Sequence, residues 1–430
     1  MSTTSFARTA ARARRRLSRR HLTSALAMLG PGVIAASAGN DAGGIATYAS
    51  AGAQFRYRML FVLLLVSIGL VVVQDMTARL GAGTGRGLIS LIRTEVSARL
   101  AIFVVGCLLV ANVGLVISEF AGIGTAFELF GVPRTRSVPV AALLLWALVT
   151  FGSRDRVQLV LLSLSLVFVG YLVAAVLAHP NWSEVADHAV VPRLLGSRSF
   201  LVLAVALVGT TITPYMQVYQ AAAMAGSATP GRLRRERFDS AVGAGAAGLV
   251  AMAILVATAA TIGGTGPLRS AADAARGLEP VAGRAAALVF GIGLLGASAL
   301  AAAVLPLATT HALAEGFGRG RDEVGEGVVG PATDGRRFRI VFTALVVVGA
   351  GAALAPGNLV DLLVGAQVLN GLVAPIFLVL VLLLANRGCL LGIHANSQGF
   401  RVAGAITVAI VGLLATVVVG LTVGGWLGLG

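Results

Sequence analysis

Three short stretches hold the residues whose types and spacing could do chemistry. The first is Gly39-Asn40-Asp41-Ala42-Gly43-Gly44, set inside an otherwise apolar run. Glycine weakens a helix by about 1 kcal/mol relative to alanine. An aspartate at mid-membrane depth costs about 2.5–3.5 kcal/mol on insertion scales. Together they predict opened backbone whose carbonyls face a solute, beside a negative charge. The second stretch is VGTTITPYMQVYQ, Val208 to Gln220, in which Thr210, Thr211 and Thr213 precede Pro214. Proline removes a backbone donor and clashes with the preceding turn. The third is Glu119, the one ionisable group in a long apolar run, with Asn112 two turns earlier on the same helical face. An ionisable group in such a setting points to an ion or proton path; a helix-pairing contact with a Thr or Arg is the alternative. The chemistry implied is binding and passage of a solute.

The elements that must position these groups are membrane spans. The chain has 430 residues, 57% of them hydrophobic and 12% charged, whereas a soluble domain is nearer one quarter charged. Its 33 basic residues are all arginine and the net charge is +15. They lie between apolar runs, so orientation in a membrane explains them better than nucleic-acid binding. The two cysteines, Cys107 and Cys389, form neither a disulfide framework nor a CxxC site. The basic arm Arg8–Arg20 reads as a cytosolic anchor and not a cleaved signal, because the apolar run behind it is too long.

With about 20 apolar residues needed per span, eleven candidates appear: 24–54, 58–80, 101–129, 138–152, 157–178, 199–226, 241–263, 284–315, 338–355, 359–385 and 403–427. If the N-terminus is inside, 24 arginines fall on the inner side (8–20, 79–99, 154–156, 232–237, 319–339, 387–401) and 9 on the outer. That imbalance predicts a multi-pass plasma-membrane protein with a cytoplasmic N-terminus and an outer C-terminus. The longest loops are 179–198 and the Gly-rich, charged 316–337.

The glycine- and proline-broken spans are the first and the sixth. These are corresponding positions in two successive units of five, and an odd unit length inverts the second unit. Such paired interruptions point to a transporter site. The expected fold is therefore all-α, an eleven-span inverted repeat of the LeuT-like kind. The basic arm would be 1–23, the repeats 24–178 and 199–385, and the last span 403–427.

At these residues the chain resembles the NRAMP family of divalent-metal transporters. QDMTARLGAGTGRGL (Gln74 to Leu88) is similar to that family's segment ending the second span. SEFAGIGTAFELFGVP (Ser118 to Pro133) is similar to its third-span pattern, GTTITPY (Gly209 to Tyr215) stands at its MPH motif, and NDAGG stands at DPGN. The second half matches mainly through AQVLNG in the tenth span. The resemblance implies metal binding by Asp41, by the carbonyls of Ala38 and Thr210, and by Gln367. Gly44 stands where the family has Asn, and Thr213 where it has Met. Tyr215 and Gln220 stand at two sixth-span histidines. Glu119 keeps a third-span acid, while Val116 replaces the aspartate one turn earlier.

These departures shape the expected substrate. Thr213 offers oxygen in place of a thioether, which favours hard cations over soft ones. Gly44 removes a ligand and leaves space. A roomier all-oxygen site suits an ion that keeps part of its water shell, as Mg²⁺ does. The pattern resembles the NRAMP-related magnesium-transporter branch, so Mg²⁺ is expected first and Mn²⁺ second. No permanently bound cofactor is expected. Imidazole is the side chain that titrates near neutral pH, and with both histidines replaced, proton coupling is expected to be weak or absent. Glu119, Asn112 and Tyr215 remain as the candidate proton or ion path. Transport of a small organic solute such as an amino acid is the alternative on this scaffold, and Asp41 argues against it. An intramembrane enzyme would need a nucleophile–base pair or a full metal-ligand set, and neither is present.

Other polar residues have simpler roles. Asp75 and Arg79, at i and i+4, form an expected ion pair near the end of the second span. Asn370, three residues after Gln367, suits helix-to-helix hydrogen bonding. His311 and Glu315 share i, i+4 spacing without a further soft ligand nearby. His179, His188 and His394 are expected in solvated loops.

Overall fold

The computed structural model describes residues 39–151, 167–225, 230–268, 270–276, 283, 286–318 and 336–426. Among the described residues the regular structure is helical. The principal elements are α1 (Ala42–Phe55), α2 (Leu60–Thr84), α3 (Ala98–Glu128), α4 (Arg134–Phe151), α5 (Val167–Leu177), α6 (Arg198–Thr211), α7 (Pro214–Met224), α8 (Pro230–Ile262), α9 (Ala286–Gly316), α10 (Arg336–Ala353), α11 (Leu359–Ala385) and α12 (Gln398–Trp426).

Eight helical runs among the described residues are long and apolar enough to cross a membrane. They cover nine of the eleven expected spans, because α1 and α2 run together as Ala42–Thr84. The ninth span is the shorter α10. The fifth is α5, whose expected first part falls outside the described residues. The arm 1–23, the start of the first span and most of the loop 316–337 also lie outside them. Loop 179–198 is more ordered than its composition suggests. Asn181 caps a helix over Trp182–Val190, accepting from Ser183 and Glu184 N–H groups. His188 therefore sits in a helix and not a loop, its Nδ1 3.0 Å from the Glu184 carbonyl.

Apolar and polar groups are distributed as a bilayer demands. Leu143, Leu144, Phe151, Val347 and Leu413 are exposed on the outside of the bundle, while Asp41, Glu119, Gln217, Gln220, Gln367 and Asn370 are fully buried. With no water in a hydrocarbon layer, polar groups must find partners in the interior.

The sixth span breaks where the proline predicts. α6 ends at Thr211, Ile212 leaves helical geometry (φ −113°, ψ 66°), and Thr213 is extended (φ −73°, ψ 133°). A residue before proline is pushed out of the α region, and Pro214 then starts α7 at the first position, where its missing N–H costs nothing. At the other break, Asp41 is extended (φ −69°, ψ 179°) and α1 begins at Ala42. Asp41 caps that helix by accepting from the Gly44 N–H at 2.5 Å, the ordinary role of Asp at an N-cap.

α6 is drawn against α11 at backbone distance. A Cβ on Gly209 would fall on the Gln367 carbonyl, and one on Gly371 on the Val205 carbonyl. Small residues at such crossings let helices approach closely. This contact sets Gln367 and Asn370 beside the two breaks.

At one end of the bundle the expected Asp75–Arg79 pair forms, at 2.9 Å. Arg237 of α8 adds a second bond to Asp75 at 2.6 Å. Arg79 also donates to the His394 carbonyl at 3.0 Å and to Asn396 Oδ1 at 2.6 Å. The group ties α2 and α8 to the segment before α12.

Candidate functional site

The start of α1 faces the break between α6 and α7. Thr210 Oγ1 donates to the Gly39 carbonyl at 3.2 Å, and Tyr48 OH lies 3.4 Å from Thr211 Oγ1. Asn370 Nδ2 donates to the Gly209 carbonyl at 2.5 Å, holding the last turn of α6 from α11. The opened backbone is thus satisfied by side chains from other helices, as membrane depth requires.

Asp41 lies between the breaks, 1% exposed. Beyond its cap to Gly44, it accepts from Gln367 Nε2 at 2.9 Å through Oδ1 and 3.0 Å through Oδ2. Gln367 Oε1 is buried without a partner. Glu119 reaches the same helix end from α3, its Oε2 accepting from the Ala42 N–H at 3.3 Å, while Oε1 has no partner. Two carboxyl groups therefore gather at the N-terminus of α1, where the helix dipole and free N–H groups favour negative charge.

Gly44 stands directly against this group. A Cβ there would lie 2.5 Å from Thr210 Oγ1, 3.1 Å from Asp41 Oδ1 and 3.1 Å from the Gly39 carbonyl. Thr213 caps α7 by position, but its hydroxyl makes no capping bond and is buried without a partner. Tyr215 is fully buried one residue into α7.

Of the residues singled out in the sequence, Asp41, Gly44, Thr210, Gln367 and Glu119 are brought together. Ala38 lies outside the described residues. Asn112 is held elsewhere, its Nδ2 donating to Thr309 Oγ1 of α9 at 2.7 Å. Glu119 meets neither a Thr nor an Arg in these bonds but a backbone N–H. Glu315 accepts from the Ser90 N–H at 3.0 Å, so it braces the short helix Leu88–Leu91. Among the described residues no three His, Cys, Asp or Glu side chains gather as a metal cluster. Gln217, which is not among the expected site residues, accepts from Thr77 Oγ1 at 2.9 Å. Its signal in the sequence is the recurrence of Thr213, Gln217 and Gln220 at i, i+4 and i+7 on one helical face.

The arrangement can hold one small cation among oxygens: a carboxylate, a hydroxyl, an amide oxygen and backbone carbonyls. Such a donor set is hard and suits Mg²⁺, Ca²⁺ or Mn²⁺.

Comparison with known proteins gives the family and the fold. The family described as natural resistance-associated macrophage protein-like matches residues 32–420. A divalent metal cation transporter MntH of Burkholderia ambifaria is 29% identical over 422 residues, covering 95% of this chain and 92% of that protein. Among solved structures, an Eremococcus coleocola manganese transporter superposes with a TM-score of 0.76 at 21% identity, covering 95% of this chain and 89% of that one. MhsT in complex with L-phenylalanine superposes at 0.55 with 14% identity, covering 89% and 98%. The fold is the LeuT-like inverted repeat expected from the two interrupted spans.

Proposed function

Since the chain belongs to the natural resistance-associated macrophage protein-like (Nramp) family, we propose that it carries divalent metal cations across the membrane, with Asp41 as the anchoring charge. The observation that carries this reading is the setting of Asp41. It is a buried carboxyl group at the start of α1, facing the break between α6 and α7, and its hydrogen bonds come from the neutral donors Gly44 N–H and Gln367 Nε2. A carboxylate with neutral partners in a poorly screened interior attracts a cation strongly.

Gln367 would change roles on loading. Its Nε2 faces Asp41 and its Oε1 has no partner, so a half-turn of the amide would present oxygen to the ion. The Thr213 hydroxyl and the carbonyls near Ala38 and Thr210 would complete the shell, directly or through water. Gly44 in place of a longer side chain, and Thr213 in place of a thioether, favour Mg²⁺ over Mn²⁺ and Fe²⁺. The relative and the structural neighbour are named for divalent metal and for manganese, so Mn²⁺ is the ion to compare.

Access would alternate as the broken helices rock against the remaining scaffold. The repeats would be 24–178 and 199–385, with the N-terminus cytoplasmic. Proton coupling would be weak, since Tyr215 and Gln220 cannot titrate as histidine does and Val116 carries no acid. Glu119 and Tyr215 stay closest to any residual proton route; Asn112, bonded to Thr309, would sit at its margin.

Flux of Mg²⁺ and Mn²⁺ into proteoliposomes, for wild type and Asp41→Ala at two pH values, tests this. We expect both ions to move, Mg²⁺ to compete at millimolar concentration, the lumen not to acidify, and Asp41→Ala to abolish uptake. Undiminished flux in Asp41→Ala would refute the site. Mn²⁺ carried far ahead of millimolar Mg²⁺ would refute the ion assignment, and metal-driven acidification the uncoupled mechanism.

A further inference from the structure

From Thr213, whose hydroxyl belongs to the Asp41 site, α7 carries a line of polar groups onward, and the site does not use the later two. Thr213, Gln217 and Gln220 share one face, with the two glutamines about 6 and 10 Å along the helix from Thr213 at 1.5 Å per residue. All three are fully buried, and each has an unpartnered atom: Thr213 Oγ1, Gln217 Nε2 and Gln220 Oε1. Gln74 of α2 is fully buried with both amide atoms, Oε1 and Nε2, unpartnered. The bonds that do form knit these helices together. Gln220 Nε2 donates to the Gln74 carbonyl at 3.3 Å and to Ser240 Oγ of α8 at 2.7 Å, and Thr77 Oγ1 donates to Gln217 Oε1 at 2.9 Å.

A buried polar atom without a partner is costly, and such atoms are few in native proteins. Four amide atoms from three glutamines, on α2 and on the face of α7 that is bonded to α2 and α8, call for an occupant. Its chemistry can be read from theirs. Amides present both acceptors and donors, which suits water in every orientation but does not strip an ion. The carboxylate next to Gln74 in sequence, Asp75, is taken up by Arg79 and Arg237. The amides themselves carry no charge.

We propose that Gln74, Gln217 and Gln220 form a second station for the transported ion, an uncharged amide cage that takes a divalent cation with its water shell retained. The inference rests on the reading of Asp41 as the anchoring site. Waters on the ion donate to Gln74 Oε1 and Gln220 Oε1, and the free N–H groups of Gln74 and Gln217 bind the outer waters. Without a carboxylate the hold is loose, as passage requires: strong enough to enter, weak enough to leave.

The test uses the full-length chain, with Mn²⁺ as the probe. Calorimetric titration gives the stoichiometry in detergent, and proteoliposome uptake gives the turnover. Gln74→Glu is isosteric and adds the charge that the cage lacks. It should raise the Mn²⁺ stoichiometry from one to two per chain and slow uptake by about tenfold, the scale of an altered outer-shell contact. Replacing Gln74 and Gln220 together by leucine should leave the single wild-type binding event within about twofold and slow turnover by about tenfold with KM unchanged. If the leucine variant fails to elute as the wild type does, the glutamate variant decides alone. A stoichiometry that stays at one in Gln74→Glu overturns the station, leaving the amides as a structural water site. If wild type neither binds nor carries Mn²⁺, the Asp41 reading falls and the station falls with it. If wild type does both and Gln74→Glu matches it, only the station falls.

Discussion

The side-chain amide of Gln367 donates to both carboxyl oxygens of Asp41, at 2.9 and 3.0 Å, across 326 residues of sequence. One nitrogen thus joins α11 to the N-cap of α1. It can do so because Gly209 and Gly371 let α6 and α11 touch, which brings Gln367 to the broken helices. The group proposed to bind the ion is held, before the ion arrives, by a residue proposed to share in the binding.

Gln367→Leu should separate these two roles. It leaves an Asp41 oxygen without its buried donor, at a cost of about 1–3 kcal/mol. The metal-free protein should unfold at lower temperature, and Mn²⁺ affinity should fall as well. Thermal unfolding with and without Mn²⁺ reads both. A variant as stable and as tightly binding as wild type would remove Gln367 from the site.

Gly44 sets the room beside Asp41. Gly44→Asn, which installs the residue expected there from the resemblance, forces a Cβ to within 2.5 Å of Thr210 Oγ1. Overpacking of this kind costs about 1–3 kcal/mol. Uptake should drop in the single variant and recover partly when Thr210→Ala is added. Equal uptake in Gly44→Asn and wild type would show that the neighbouring helix yields freely.

Thr213→Met tests the choice of ion. The Thr213 hydroxyl has no partner to lose, and a thioether adds a soft ligand. Competition of Mg²⁺ against Mn²⁺ in one vesicle preparation should shift toward Mn²⁺ by about tenfold, in line with ligand softness. An unchanged ratio would place the side chain off the coordination shell.

The ion pair at the end of α2 should matter to stability far more through one partner than another. Asp75→Ala strands the buried Arg79, and breaking a buried pair costs about 3–5 kcal/mol. The Arg237 side chain is 41% exposed, so Arg237→Ala should cost only about 0–1 kcal/mol. Unfolding midpoints of the two variants in the same detergent make the comparison. Similar midpoints would mean that Arg79 is satisfied by His394 and Asn396 without Asp75.

How far the chain could be read before folding depends on the range of the signal. Spans and breaks are local. Hydrocarbon thickness sets a run length and proline lacks a donor, so residue order alone carried them, whereas the cap that Asp41 makes to Gly44 came from the structure. The candidate residues were visible as types too, because a carboxylate or glutamine in an apolar run stands out. Their pairings were not. Glu119 reaches the Ala42 N–H, Asn112 turns instead to Thr309, and Arg237 joins Asp75 across 162 residues. Each depends on how a helix is rotated about its axis. In a bilayer the lipid-facing side is as apolar as the packed side, so the pattern of residues does not announce which face turns inward. Only the packing of α1, α3, α6 and α11, through small residues and satisfied amides, settled that rotation and with it the shape of the site.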